Sequence, residues 1–121
     1  MPKKILVVDD EPDVVLFLKK RLEVHGYEVA CAYDGQEGLV KLNEEKPDLI
    51  LLDIIMPNKD GLAMLREMQA QDSLKSIPVI ILSAKGASAS IFEGQELGAL
   101  DYIIKPFDIE ELLKYIRKYI Y

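Results

Sequence analysis

The chain has 121 residues, 50% of them apolar, which suits one domain with its own buried core and no need for disulfides or structural metals. Fifteen basic against twenty-one acidic side chains leave a net charge of −6, which disfavours nucleic-acid binding through counterion release and points to protein, cation or small-molecule partners. A single cysteine, Cys31, excludes an intrachain disulfide and suits a reducing, cytoplasmic setting, and neither a bilayer-spanning run nor a signal peptide is present.

Ile5-Leu6-Val7-Val8 is a continuous apolar run closed by Asp9-Asp10-Glu11, the pattern of a strand buried on both faces. Residues 12–25 then place Val15, Leu18 and Leu22 at helical spacing, with Pro12 at the start and Gly26 as a stop. Val29-Ala30-Cys31-Ala32 is a weaker run that predicts an edge strand, followed by a helix over 36–45. Leu49-Ile50-Leu51-Leu52 is a second central strand and ends at Asp53, and a helix over 62–71 follows. Val79-Ile80-Ile81-Leu82 is a third central strand, running into Ser83, with a helix from about 89 to 97 stopped by Gly98. Tyr102-Ile103-Ile104 predicts the other edge strand, cut off by Lys105-Pro106. Asp108 and Glu111 form a capping box for a last helix, which carries Ile109, Leu112, Leu113, Ile116 and Ile120 on one face and Lys114 and Lys118 on the other.

Strand and helix thus alternate five times, which predicts a single doubly wound α/β domain over 1–121, its parallel sheet covered on both faces through right-handed crossovers. Ligands of such sheets bind beyond the carboxyl ends of the strands. There the sequence places Asp9-Asp10-Glu11, Asp53, Ser83 and Lys105. Crowded carboxylates repel unless a cation joins them, and oxygen donors suit magnesium; His25 and Cys31 lie away from the strand ends, so zinc has no ligand set. With charge neutralised, Asp53 is placed to attack phosphorus while Lys105 and Ser83 reach the phosphoryl group from the other side.

Blander roles are open to each residue alone. Asp9 and Asp10 could belong to a helix N-cap, Tyr102 could be an ordinary strand aromatic, and Cys31 could be simple packing. His25 beside Gly26 reads as a partner of the helix dipole, and Tyr115 and Tyr119 as exposed helix surface.

Taken together, Ile5-Leu6-Val7-Val8-Asp9-Asp10-Glu11, Leu51-Leu52-Asp53-Ile54-Ile55-Met56-Pro57, Asp60-Gly61, Ser83-Ala84-Lys85 and Asp101-Tyr102-Ile103-Ile104-Lys105-Pro106-Phe107 resemble the response-regulator receiver family of two-component signalling, over essentially the whole chain. The resemblance implies a flavodoxin-like five-stranded sheet of order 2-1-3-4-5. It implies that Asp10, Asp53 and the backbone carbonyl of Ile55 hold Mg2+, with Asp9 in the outer shell. Asp53 becomes the phosphoaspartate, supplied by a phosphohistidine on a sensor histidine kinase or phosphotransfer protein. Lys105 pairs with the phosphoryl oxygens, and its bond to Pro106 is cis. Ser83 and Tyr102 form a switch pair that remodels the face of the fourth helix, fifth strand and fifth helix for a downstream protein or output domain. Such a protein is a signalling switch that catalyses its own phosphorylation and dephosphorylation. It binds no nucleic acid directly, inserts in no membrane, and is a monomer or a phosphorylation-dependent dimer.

Two places depart from the family pattern. Ala87-Ser88-Ala89-Ser90 lacks the acidic residues common there, which predicts a late or fraying fourth helix, and Leu100 replaces a commonly acidic residue. Both make the expected output face more apolar, with Phe92, Tyr115 and Tyr119 as possible anchors. Two rivals fit less well. A flavodoxin-like binding module would need a Gly/Ser/Thr phosphate cradle where Asp9-Asp10-Glu11 stands. A haloacid-dehalogenase-like phosphatase would need a carboxylate at Ile55, two residues after the nucleophile, for acid–base chemistry.

Overall fold

Runs of four aliphatic residues with no polar residue between them are stable as strands only when both faces are covered, and the computed structural model of the chain shows that cover. The structure describes residues 2–54, 61–84 and 88–120. Its elements in order are β1 (Lys4–Val8), α1 (Pro12–Val24), β2 (Glu28–Ala32), α2 (Gly35–Glu45), β3 (Leu49–Asp53), α3 (Gly61–Gln69), β4 (Val79–Ala84), α4 (Ser88–Glu96), β5 (Asp101–Lys105) and α5 (Ile109–Arg117). All strand pairs are parallel, in the order β2-β1-β3-β4-β5. The two weak runs are therefore the edges, and the three continuous ones are central.

Strand periodicity divides the core in two. Ile5, Val7, Leu49, Leu51, Ile80 and Leu82 pack under Val15, Leu18 and Leu22 of α1 and Leu112, Leu113 and Ile116 of α5. Leu6, Val8, Ile50, Leu52, Val79 and Ile81 pack on the opposite face under Leu42 of α2, Met64, Leu65 and Met68 of α3, and Ile91 of α4. Each such side chain stabilises the fold by about 1.5–3 kcal/mol through burial. The strand ends consequently stand on a rigid base.

Helix boundaries follow local chemistry. Asp34 caps α2, its Oδ1 accepting the Glu37 amide at 2.8 Å, so the helix starts at Gly35, one residue before the periodic pattern suggests. α1 ends at Val24 with His25 as C-cap, and Gly26 takes the left-handed φ of +93° that releases the chain toward β2. Gly98 does the same after α4 at φ +107°. α3 stops at Gln69, short of the expected 71, where the chain turns through 70–77. α4 is described from Ser88, next to the expected start at about 89, and residues 85–87 before it lie outside the described residues. Asp108 caps α5 through the Glu111 amide at 2.8 Å.

One correction concerns Tyr115 and Tyr119. Both are half-buried against the α1/α5 core instead of exposed: helical turns continue past Arg117, with Lys118 in the right-handed region and the Ile120 N–H on the Ile116 carbonyl, and the Tyr119 ring comes to lie beside the start of β5. The Tyr119 hydroxyl donates to Asp101 Oδ2 at 3.0 Å, and Lys118 Nζ reaches the same oxygen at 3.3 Å. Among the described residues no helix is long and apolar enough to cross a membrane.

Candidate functional site

Parallel register decides which side chains meet beyond the strand ends. Val8 pairs with Leu52, so Asp9 and Asp53, the next residue of each strand, stand side by side. Asp53 pairs with Leu82, which sets Ser83 one step further along the neighbouring strand, and Ala84 pairs with Lys105. Among the described residues the buried polar side chains are Asp9, Asp53 and Ser83, at 0%, 7% and 1% exposure, all at this one rim. Buried carboxylates cost several kcal/mol each unless something compensates them.

Lys105 supplies compensating charge. Its Nζ lies 2.8 Å from Asp9 Oδ2, 3.3 Å from Asp53 Oδ2 and 3.2 Å from Glu11 Oε1. Burial works against the ammonium, yet the three carboxylates outweigh it and hold its pKa well above that of an ordinary lysine. The Lys105–Pro106 peptide bond is cis. Asp9 Oδ1 accepts the Glu11 amide at 3.0 Å, whereas the contact of Oδ2 with Lys105 is off the direction of a hydrogen bond and leaves that buried oxygen without one.

Carboxylate oxygens of Asp9, Asp10, Glu11 and Asp53 all lie within 4.8 Å of one another. The N-cap of α1 is Glu11, and its side chain makes no capping bond. The acidic trio is thus turned into the rim and does not close the helix end. Oxygen-only donors, a buried oxygen lacking a hydrogen bond, and an ammonium as neutralising charge fit a hard divalent cation.

Ser83 donates to the Ala84 carbonyl at 3.3 Å, a long contact for a hydroxyl. Tyr102 pairs with Ile81 and Ser83 with Ile104, so Tyr102 and Ser83 belong to the same sheet face, and Tyr102 is 40% exposed. Ile55, expected to lend its carbonyl, lies outside the described residues, as do Asp60 and Lys85. His25 is exposed at the C-terminal end of α1, away from the rim. Cys31 packs on β2 against the α1/α5 core, and burial pushes its thiol up. Phe92 and Leu100 are exposed at 64% and 54%.

Two residues gain parts that the sequence reading left unassigned. Glu11 contacts Lys105 across 94 positions of chain. Gly61 starts α3 against the end of β3: a Cβ there would collide with the Asp53 carbonyl oxygen and stand 2.5 Å from Ile54 Cα, and its own N–H donates to Ile54 O at 3.1 Å. Only a residue without a side chain lets the helix approach so closely. Continuous with the rim at Glu11 and Lys105, a cleft of about 500 Å³ runs between α1 and the Lys105-Pro106-Phe107 segment, walled by Val14 and Phe17.

A family profile described as the response regulator receiver domain matches residues 5–117. Among solved structures, the chain is similar to the Vibrio cholerae chemotaxis protein CheY4, at 31% identity and a TM-score of 0.93, covering 99% of this chain and 100% of that one. A putative response regulator from Chloroflexus aurantiacus is similar at 32% identity and a TM-score of 0.92, covering 98% and 97%. NtrX from Brucella abortus is similar at 33% identity and a TM-score of 0.91, but there the match covers 99% of this chain and 27% of that chain.

Proposed function

This chain belongs to the response regulator receiver domain family, and on that premise we propose that it is a single receiver domain over 1–121 in which Asp53 is the phosphoacceptor. The observation that carries this reading is the placement of Asp53, a buried carboxylate ending a central strand with the Lys105 ammonium on its Oδ2. An Asp53 carboxylate oxygen attacks the phosphorus of a phosphohistidine. The P–N bond breaks, the imidazole leaves with the electron pair, and an acyl phosphate remains on Asp53.

Asp10, Asp53 and the Ile55 carbonyl would hold Mg2+, with Asp9 supporting from the outer shell; when bound, the ion supplies neutralising charge for the phosphoryl oxygens. Lys105 moves its ammonium from the Asp53 carboxylate to a phosphoryl oxygen, a charge-assisted bond. The Ser83 hydroxyl, held among the described residues by a long contact to its neighbour's carbonyl, turns to another phosphoryl oxygen. Tyr102, on the same face, rotates inward, and the added charge of about −1.5 to −2 biases the α4–β5–α5 surface toward its partner state.

The donor is a sensor histidine kinase or phosphotransfer protein, and the receiver of the signal is a downstream protein or output domain that reads α4–β5–α5. The domain catalyses its own phosphorylation and dephosphorylation without turning over ordinary phosphoesters. It acts in the cytoplasm, as a monomer or a phosphorylation-dependent dimer, without direct nucleic-acid contact. Intact-mass measurement after treatment with a small acyl phosphate tests the core of this reading. A gain of one phosphoryl group is expected with magnesium and not without it, and Asp53→Asn should abolish the gain. A full gain in that variant would remove Asp53 from the role.

A further inference from the structure

The Lys105 ammonium contacts three carboxylates of unequal kind, donating hydrogen bonds to Asp53 and Glu11 and lying against Asp9 as an ion pair. Asp9 and Asp53 are buried oxygens of the rim, while the Glu11 side chain is 60% exposed. Glu11 stands at the N-cap of α1, where an acidic side chain ordinarily accepts a free amide of the first turn, yet it caps nothing and reaches across to Lys105 instead. Its backbone is held in that attitude by its own amide on Asp9 Oδ1. Glu11 and Lys105 both border the open cleft beside α1, so the pair has room to shift outward together.

Two positive centres drawn to the same buried carboxylates repel one another. When a divalent cation joins Asp10 and Asp53, the ammonium beside them is pushed outward, and of its three carboxylate contacts the most exposed is Glu11. We infer that Glu11 is a positioning residue: it receives the Lys105 ammonium when a divalent cation takes the rim oxygens, and keeps it at the mouth of the site for an incoming phosphoryl group. This rests on the cation-binding part of the proposal above. Glu11 acts through Lys105 and touches no reacting atom.

The test is a double-mutant cycle on magnesium affinity, read by titration calorimetry with magnesium chloride on the folded, full chain. Glu11→Gln and Lys105→Ala are made singly and together, and Asp13→Asn serves as a control that removes one nearby charge. Glu11→Gln should weaken magnesium binding about fivefold or more when Lys105 is present and less than about twofold in the Lys105→Ala background, a coupling of the size seen between contacting charges. Asp13→Asn should change affinity less than about twofold in both. An equal loss in the two backgrounds would mean that Glu11 acts on the ion directly, and a loss no larger than that of Asp13→Asn would mean that it is only a surface charge; either overturns the inference. Absence of magnesium binding in the wild type would instead sink the underlying site assignment, and the inference with it.

Discussion

The ammonium of Lys105 lies 3.3 Å from a carboxylate oxygen of Asp53, although 52 residues separate them in the chain. The contact is produced by strand order alone: β4 lies between β3 and β5, and the lysine side chain spans it at the rim. Because the same ammonium also neutralises Asp9, its removal takes a positive charge from beside two buried carboxylates at once.

Lys105→Met should therefore lower the stability of the magnesium-free protein by about 1–3 kcal/mol, since two buried carboxylates lose a neighbouring positive charge. The pH profile carries a signature. The folded pKa of Lys105 is raised above 10.5, its ordinary value, so its contribution is complete below that pH and declines as pH rises toward the folded value. The stability difference between wild type and Lys105→Met should be flat through neutral pH and shrink in the alkaline range. Urea unfolding across pH reads this; a difference that grows with alkalinity would contradict it.

Asp10→Asn should separate stability from cation binding. Asp10 stands within the carboxylate group, and removing one of several like charges relieves repulsion when no cation is present. We expect a gain of about 0.5–1.5 kcal/mol in magnesium-free buffer together with a loss of magnesium affinity of at least tenfold. Thermal unfolding with and without magnesium measures both, and a destabilised variant with unchanged affinity would contradict the account.

Gly61→Ala tests the packing behind the acceptor. The added methyl meets main-chain atoms of Asp53 and Ile54, which cannot rotate away as a side chain could. A cost of about 1–3 kcal/mol is expected, with slower phosphoryl uptake at Asp53 because the carboxylate is displaced. Gly38→Ala is a useful contrast: its nearest neighbour is the Met64 thioether, a flexible group, so a smaller loss and unaffected uptake are expected.

Ser83→Ala should leave stability within about 0.5 kcal/mol, because its hydroxyl makes one long bond to the next carbonyl. Its effect should appear after acyl-phosphate treatment, as smaller amide chemical-shift changes in α4 and β5. Equal shift changes in variant and wild type would remove Ser83 from the switch.

The central strands were legible because burial on both faces leaves no place for a polar residue in Ile5–Val8 or in the matching runs. Edge strands β2 and β5 read more weakly, since most of their residues are only partly buried and need not be apolar. Residues at strand ends were legible as a set, because parallel topology brings every strand's carboxyl end to one rim. What was hidden depends on register and on where chains turn. Glu11 could be placed on the rim but not on Lys105, which takes three-dimensional reach across β1, β3, β4 and β5. Tyr119 looked like exposed helix because nothing in its neighbours announces the contact of its hydroxyl with Asp101, 18 residues away in the chain. Asp34-Gly35 reads as a turn, so the start of α2 was missed by one residue.

The bond between Tyr119 and Asp101 has a practical corollary. Asp101 opens β5 and Lys105 closes it, so this tether sits roughly 13 Å from the acidic rim at about 3.3 Å per strand residue. Lys4, which opens β1 and bonds Glu45, marks the same pole. A fluorophore attached at Lys118, beside this tether, would consequently sit at the far end of the sheet, leaving the carboxylates clear for donors and ions.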